Sequence, residues 1–112
     1  MNSLDKLRII YKAIDDKQGA DIKMIDISEI STIADYFIIA SASNVNQMNA
    51  IVENIEDELL KEKVHYPKIE GKRESSWILM DYTDIIVHLF LEEDRQFYDI
   101  ERIWRDGKEI TL

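Results

Sequence analysis

Apolar positions recur along this chain with two distinct periods. Leu4, Leu7, Tyr11 and Ile14 are spaced by three and four, and Ile10 widens the stripe. That spacing predicts an amphipathic helix over residues 3–17. Ser3 is its expected N-cap, and Gly19 is placed to end it in a left-handed conformation. Over residues 21–26 the period shortens to two. Ile22, Met24 and Asp26 alternate with Lys23, Ile25 and Ile27, which predicts a strand with one buried face. Residues 28–34 read as a connection. Tyr36–Ala42 is a continuous apolar run of strand length. Such runs suit strands covered on both faces, so this one is expected centrally in a sheet.

Met48, Ile51, Val52, Ile55, Leu59 and Leu60 form the stripe of a long helix over residues 43–63. Ser43 or Asn44 caps it, and Glu53, Glu56, Asp57 and Glu58 make a solvated face. Residues 65–70 contain the only proline, Pro67. Its missing N–H marks an edge strand or an extended arm. Residues 71–74 read as a loop. Over residues 93–104, short helical turns are expected to lay Phe97, Tyr98, Ile100, Ile103 and Trp104 on the sheet.

The most informative stretch is residues 75–92, SSWILMDYTDIIVHLFLE, which reads as a hairpin. A two-residue turn at Tyr82 and Thr83, flanked by Asp81 and Asp84, sets Met80 opposite Ile85, Leu79 opposite Ile86, Ile78 opposite Val87 and Trp77 opposite His88. Alternation then separates two faces. Ile78, Met80, Ile85, Val87 and Leu89 are purely aliphatic and belong to a core. Trp77, Leu79, Ile86, His88 and Phe90 form a mixed face, with Asp81 and Asp84 opposed at its turn end. Directly opposed like charges are destabilising. Either the turn splays the acids into water, or a cation compensates them.

The elements together predict an α/β (α+β) fold: one domain over residues 1–112, with helices packed on a mixed sheet of about five strands. Composition then narrows the function. The chain lacks cysteine, so disulfides and thiolate metal sites drop out and a cytoplasmic protein is favoured. No stretch approaches the roughly 20 apolar residues of a membrane span. Lys and Arg number 14 against 23 Asp and Glu, a net charge of -9. Such a chain repels phosphate backbones and suits a basic protein partner. No cofactor is expected. The Ser41–Asn44 segment before the long helix has neither the glycines nor the lysine of a phosphate loop. His65 and His88 fall in different elements. A metal-dependent nucleotidyl-transfer site at Asp81 and Asp84 is the enzymatic rival, yet such sites place their acids two apart on one strand, facing the metal. A homodimer that buries the mixed faces against each other is the structural rival.

Ordered blocks at consistent spacing carry a resemblance. They are Asp26-Ile27-Ser28, Ala34 to Ile39 with Ser41, Gln47 and Ala50-Ile51, Glu70-Gly71, Trp77 to Tyr82, Asp84 to Phe90, then Arg95, Phe97-Tyr98, Glu101-Arg102 and Trp104. From about Leu4 to Ile110 the chain resembles the ribosomal silencing factor family, also called RsfS, YbeB or iojap. The resemblance implies a sheet topology like that of nucleotidyltransferases, without their catalytic acids. It implies binding to the large ribosomal subunit through ribosomal protein L-fourteen, a block on small-subunit joining, and lowered translation when nutrients are scarce. It also implies homodimers. Three positions depart from the family pattern. Ala42 and Asn46 stand where the family often has Gly and Arg, and Thr83 replaces the Gly of its Asp-Tyr-Gly-Asp turn. On this reading the partner-binding surface comprises Trp77, Leu79, Ile86 and Phe90 as apolar contacts. Asp81, Asp84 and Glu92 take Arg or Lys from the partner, while Tyr82 and His88 add hydrogen bonds.

Overall fold

The computed structural model describes residues 1–71, 75–95 and 106–112. Helix α1 spans Ser3–Asp16 and α2 spans Val45–Lys61. The strands are β1 (Ala20–Asp26), β2 (Tyr36–Ala42), β3 (Lys68–Glu70), β4 (Trp77–Asp81), β5 (Ile85–Leu91) and β6 (Lys108–Ile110). They form one six-stranded sheet in the order β3-β4-β5-β2-β1-β6. The expected mixed sheet is present, with a sixth strand that the sequence reading lacks. β2 lies inside the sheet, parallel to β5 and antiparallel to β1. β3 is an edge strand, as a segment just after Pro67 requires.

Both helices cover one side of the sheet. Leu7, Ile10 and Ile14 of α1 and Met48, Ile51, Ile55 and Leu59 of α2 are fully buried there. They pack with Met24, Ile38, Ala40, Ile78, Met80, Ile85, Val87 and Leu89 of the strands. Each large aliphatic side chain taken from water contributes about 1.5–3 kcal/mol, so this layer is the main source of stability. A second cluster lies on the opposite side: Ile25, Ile27, Ala34, Ile39, Ile86 and Phe90, with Phe37, Trp77 and Leu79 packed against it. β1 is therefore buried on both faces, by Met24 and Ile25, where its alternation predicts one. The aromatic residues expected on this side from the C-terminal segment, Phe97 to Trp104, lie outside the described residues.

Helix ends correct two expectations. The N-cap of α1 is Asn2, whose side chain accepts from the Asp5 N–H at 2.8 Å. Ser3 donates instead to Asp84. At the other end Gln18 takes the left-handed conformation, φ 63°. The Gly19 N–H then donates to Ile14 O and the Gln18 N–H to Asp15 O, the bond pair of a Schellman motif. Gly19 is needed for space: a Cβ there would lie 2.3 Å from Ile14 Cγ2. In α2, Asn44 caps as expected by accepting from the Gln47 N–H. Gln47 reaches back and accepts from the N–H of Ser43, the residue before the cap, at 2.6 Å. Its amide also donates to Lys17 O and Gln18 O. One side chain thus joins the start of α2 to the end of α1.

Candidate functional site

The register of β4 and β5 differs from the counted one by two residues. Trp77 pairs with Phe90, Leu79 with His88, Met80 with Val87 and Asp81 with Ile86. The reason is the turn. The Tyr82 N–H donates to Ile85 O at 2.9 Å, so the two-residue loop is Thr83-Asp84. Within it the Asp84 N–H donates to Tyr82 O at 3.0 Å around Thr83, whose φ is 78°. That is a γ-turn of the rare, strained, positive-φ kind. A shift of two keeps every strand residue on its predicted face. It does change the acids, which are not opposed.

Asp81 stays on the side away from the helices, and its Oδ1 accepts from the Thr83 N–H at 2.7 Å. Asp84 turns toward α1, where it accepts from the Ser3 hydroxyl and pairs with Lys6 Nζ at 3.1 Å. Burial pushes the Asp84 carboxyl up. The hydrogen bonds from Ser3 and Lys6, with the Lys6 charge, outweigh burial and hold it below the ordinary carboxylate value. The cation that compensates Asp84 is the chain's own. Two carboxylates facing one metal are therefore not assembled at this turn. Among the described residues no group of three His, Asp or Glu side chains is placed to hold a metal ion.

Pairing across the sheet sets the mixed face out in rows. Ile25, Phe37, Ile86 and Asp81 lie side by side on β1, β2, β5 and β4. Lys23, Ile39, His88 and Leu79 form the next row, and Ser41, Phe90 and Trp77 the third. His88 sits in the middle. Its ring meets Phe37 edge-on at 4.9 Å and runs parallel to Trp77 and Phe90 at 6.3 and 6.2 Å. Trp77 Nε1–H donates to His88 Nδ1 over a long 3.4 Å. The imidazole proton therefore sits on Nε2, which is buried without a hydrogen-bond partner among the described residues. Burial pushes the His88 pKa down to about 4, so the ring is neutral at physiological pH. Beyond the third row, Arg95 donates to Ser41 Oγ and Asp21 O, each at 2.8 Å, and fixes the chain after β5 to the sheet.

The nine sequence-derived candidates divide by exposure. Trp77, Leu79 and Asp81 are half-buried and Glu92 is exposed. Ile86, His88 and Phe90 are buried in this structure, Phe90 to 1% exposure. They support the face from within, and His88 offers no outward hydrogen bond. Tyr82 lies in the helix-side core. Burial first, and then the Glu56 carboxylate, push its hydroxyl pKa up. Asp84 is committed to α1. Phe37, half-buried in the first row, is a residue that the sequence reading missed. Its continuous apolar run predicts cover on both faces, and only the parallel pairing of β2 with β5 brings Phe37 beside Ile86.

Comparison with known proteins gives one consistent result. The profile described as RsfS, ribosomal silencing factor during starvation, matches residues 1–112. The chain is 37% identical to the ribosomal silencing factor RsfS of Bacillus subtilis, over 96% of this chain and 91% of that one. It is 38% identical to the RsfS of Zymomonas mobilis, over 92% of this chain and 77% of that one. With the chloroplastic protein Iojap of Arabidopsis thaliana it shares 32% identity, over 92% of this chain and 43% of the longer plant protein. A crystal structure from Chromobacterium violaceum superposes with a TM-score of 0.88 at 28% identity, covering 100% of this chain and 92% of that one.

Proposed function

This chain belongs to the ribosomal silencing factor family, a ribosome-associated role, and from that premise we propose how it silences. It binds the large ribosomal subunit through the basic ribosomal protein L-fourteen and blocks association with the small subunit. Translation falls as a result when nutrients are limiting. The chain acts in the cytoplasm as one non-catalytic domain.

The observation that carries this reading is the sheet face away from the helices. Its half-exposed Trp77, Leu79 and Phe37 stand over a packed layer, with Asp81 beside them. Aromatic and aliphatic anchors on a rigid base, with acids at the rim, suit a basic protein surface. Trp77 and Leu79 supply apolar contact. Asp81 and Glu92 take Arg or Lys from the partner. Ile86, His88 and Phe90 hold the anchors in place, while Tyr82 and Asp84 bind the hairpin to the helices.

The test is a subunit-joining assay with purified subunits on sucrose gradients. Saturating protein is expected to abolish joined ribosomes. Asp81→Asn keeps an acceptor for the Thr83 N–H, removes the charge, and is expected to weaken inhibition about tenfold. Normal joining at saturating wild-type protein sinks the proposal.

A further inference from the structure

The loop between β1 and β2, residues 27–35, is braced by its own hydrogen bonds. Its apolar ends are buried in the second cluster, Ile27 at one end and Ala34 at the other. The Ile27 N–H donates to Asp35 O, and the Ile30 and Ser31 N–H groups donate to Ile27 O. The Ile33 N–H donates to Ser31 Oγ. The Ser28 N–H and hydroxyl both donate to Asp26 Oδ1. At its far end the N–H groups of Asp35 and Tyr36 donate to Asp84 O, which ties the loop to the hairpin turn.

Between these anchors two isoleucines stand in water. Ile30 is 51% exposed, and Ile33 at 73% is the most exposed large hydrophobic among the described residues. One apolar side chain at a surface is ordinary; two fixed in a self-bonded loop beside a further apolar row are a patch. The loop leaves β1 at Asp26 and enters β2 at Tyr36. It therefore borders the row Ile25, Phe37, Ile86 and Asp81, the last row on this face before the loop. Exposed Glu29 and Asp35 flank the isoleucines.

We propose that this loop is the second half of the docking surface, with Ile30 and Ile33 seated in an apolar depression of the basic ribosomal protein and Asp35 and Asp81 facing its Arg or Lys side chains. This rests on the functional reading above and adds a contact to it. Charge selects the occupant. A net charge of -9 opposes both an RNA backbone and a second copy of this chain, and acids beside the patch favour a basic protein. The internal hydrogen bonds hold the loop in shape before binding, which lowers the ordering cost of association.

The experiment pellets purified large subunits with wild-type protein and with the double variant Ile30→Ser/Ile33→Ser. Both side chains are exposed, so the variant is expected to keep the wild-type circular dichroism and Tm. Its binding is expected to weaken at least tenfold. Equal pelleting of variant and wild type overturns the inference and leaves the functional reading standing. Failure of the wild type to pellet overturns both. In a second arm, a photo-crosslinking benzoylphenylalanine at position 33 of the otherwise native chain is expected to join a basic ribosomal protein. An adduct to ribosomal RNA or to a second copy of the chain overturns the inference.

Discussion

His88 shows how one position can serve a surface without lying on it. Its ring is held among Phe37, Trp77 and Phe90, and burial pushes its pKa from 6.5 down to about 4. The consequence for stability follows from proton linkage. Above 6.5 the side chain is neutral in both folded and unfolded chains. As pH falls below 6.5 the unfolded chain takes up a proton that the folded chain refuses until about pH 4. Stability therefore declines with falling pH across that window, by on the order of 3 kcal/mol once the lower value is passed. His88→Phe removes the titrating group and keeps a ring. The difference in urea unfolding free energy between wild type and variant is expected to tilt between pH 7 and pH 4, against the wild type on the acid side. Carboxylates titrate in both proteins and cancel. Parallel pH profiles would show that the ring is solvated in the folded state.

At the scale of the element, the hairpin turn concentrates what the sequence hides. Thr83 has a φ of 78°, a region that β-branched residues avoid, and it closes a γ-turn between Tyr82 O and the Asp84 N–H. Strain of this kind costs about 1–3 kcal/mol, part of which glycine returns as unfolded-state entropy. Thr83→Gly is expected to stabilise the protein by about 1 kcal/mol, read as a higher urea midpoint at unchanged slope. A lower midpoint would mean that the threonine side chain contributes more than its backbone loses. The turn also explains why the face assignments were legible and the register was not. Alternation fixes faces by parity, so the aliphatic row Ile78, Met80, Val87 and Leu89 could be read directly. Register depends on which two residues form the loop. Nothing in Asp81-Tyr82-Thr83-Asp84 announces that Asp84, recruited by Ser3 and Lys6 of α1, belongs inside it. For similar reasons the three-residue β6 escaped notice. Its pairing with β1 joins segments far apart in sequence, and Lys108-Glu109-Ile110 is too short to show a period. The exposed isoleucines of the β1–β2 loop fall in a stretch that the sequence pattern marks only as a connection, because exposure is a property of the fold around a residue.

For the whole molecule, the excess of 23 acids over 14 bases is not spent on folding. Most ion pairs among the described residues lie at the surface, such as Lys12–Asp16 and Lys61–Glu58 within the helices, and pairs of this kind are worth a few tenths of a kcal/mol. The unpaired excess produces a negative field that extends about a Debye length from the surface, roughly 10 Å at 0.1 M salt and 3 Å at 1 M. On the proposed docking surface such a field would speed encounter with a basic partner more than it would strengthen the docked complex, where apolar side chains such as Trp77 and Leu79 would set the dissociation rate. Association with large subunits is therefore expected to slow at least tenfold between about 50 mM and 500 mM salt, while dissociation changes by less than about threefold. Surface-immobilised subunits and stopped-flow mixing both resolve the two rates. A salt effect confined to dissociation would move the decisive charges into the docked interface and assign Asp81 and Glu92 a holding role. An association rate that rises with salt would mean that the partner surface is itself acidic or dominated by RNA, and the charge argument for a basic protein would fall with it.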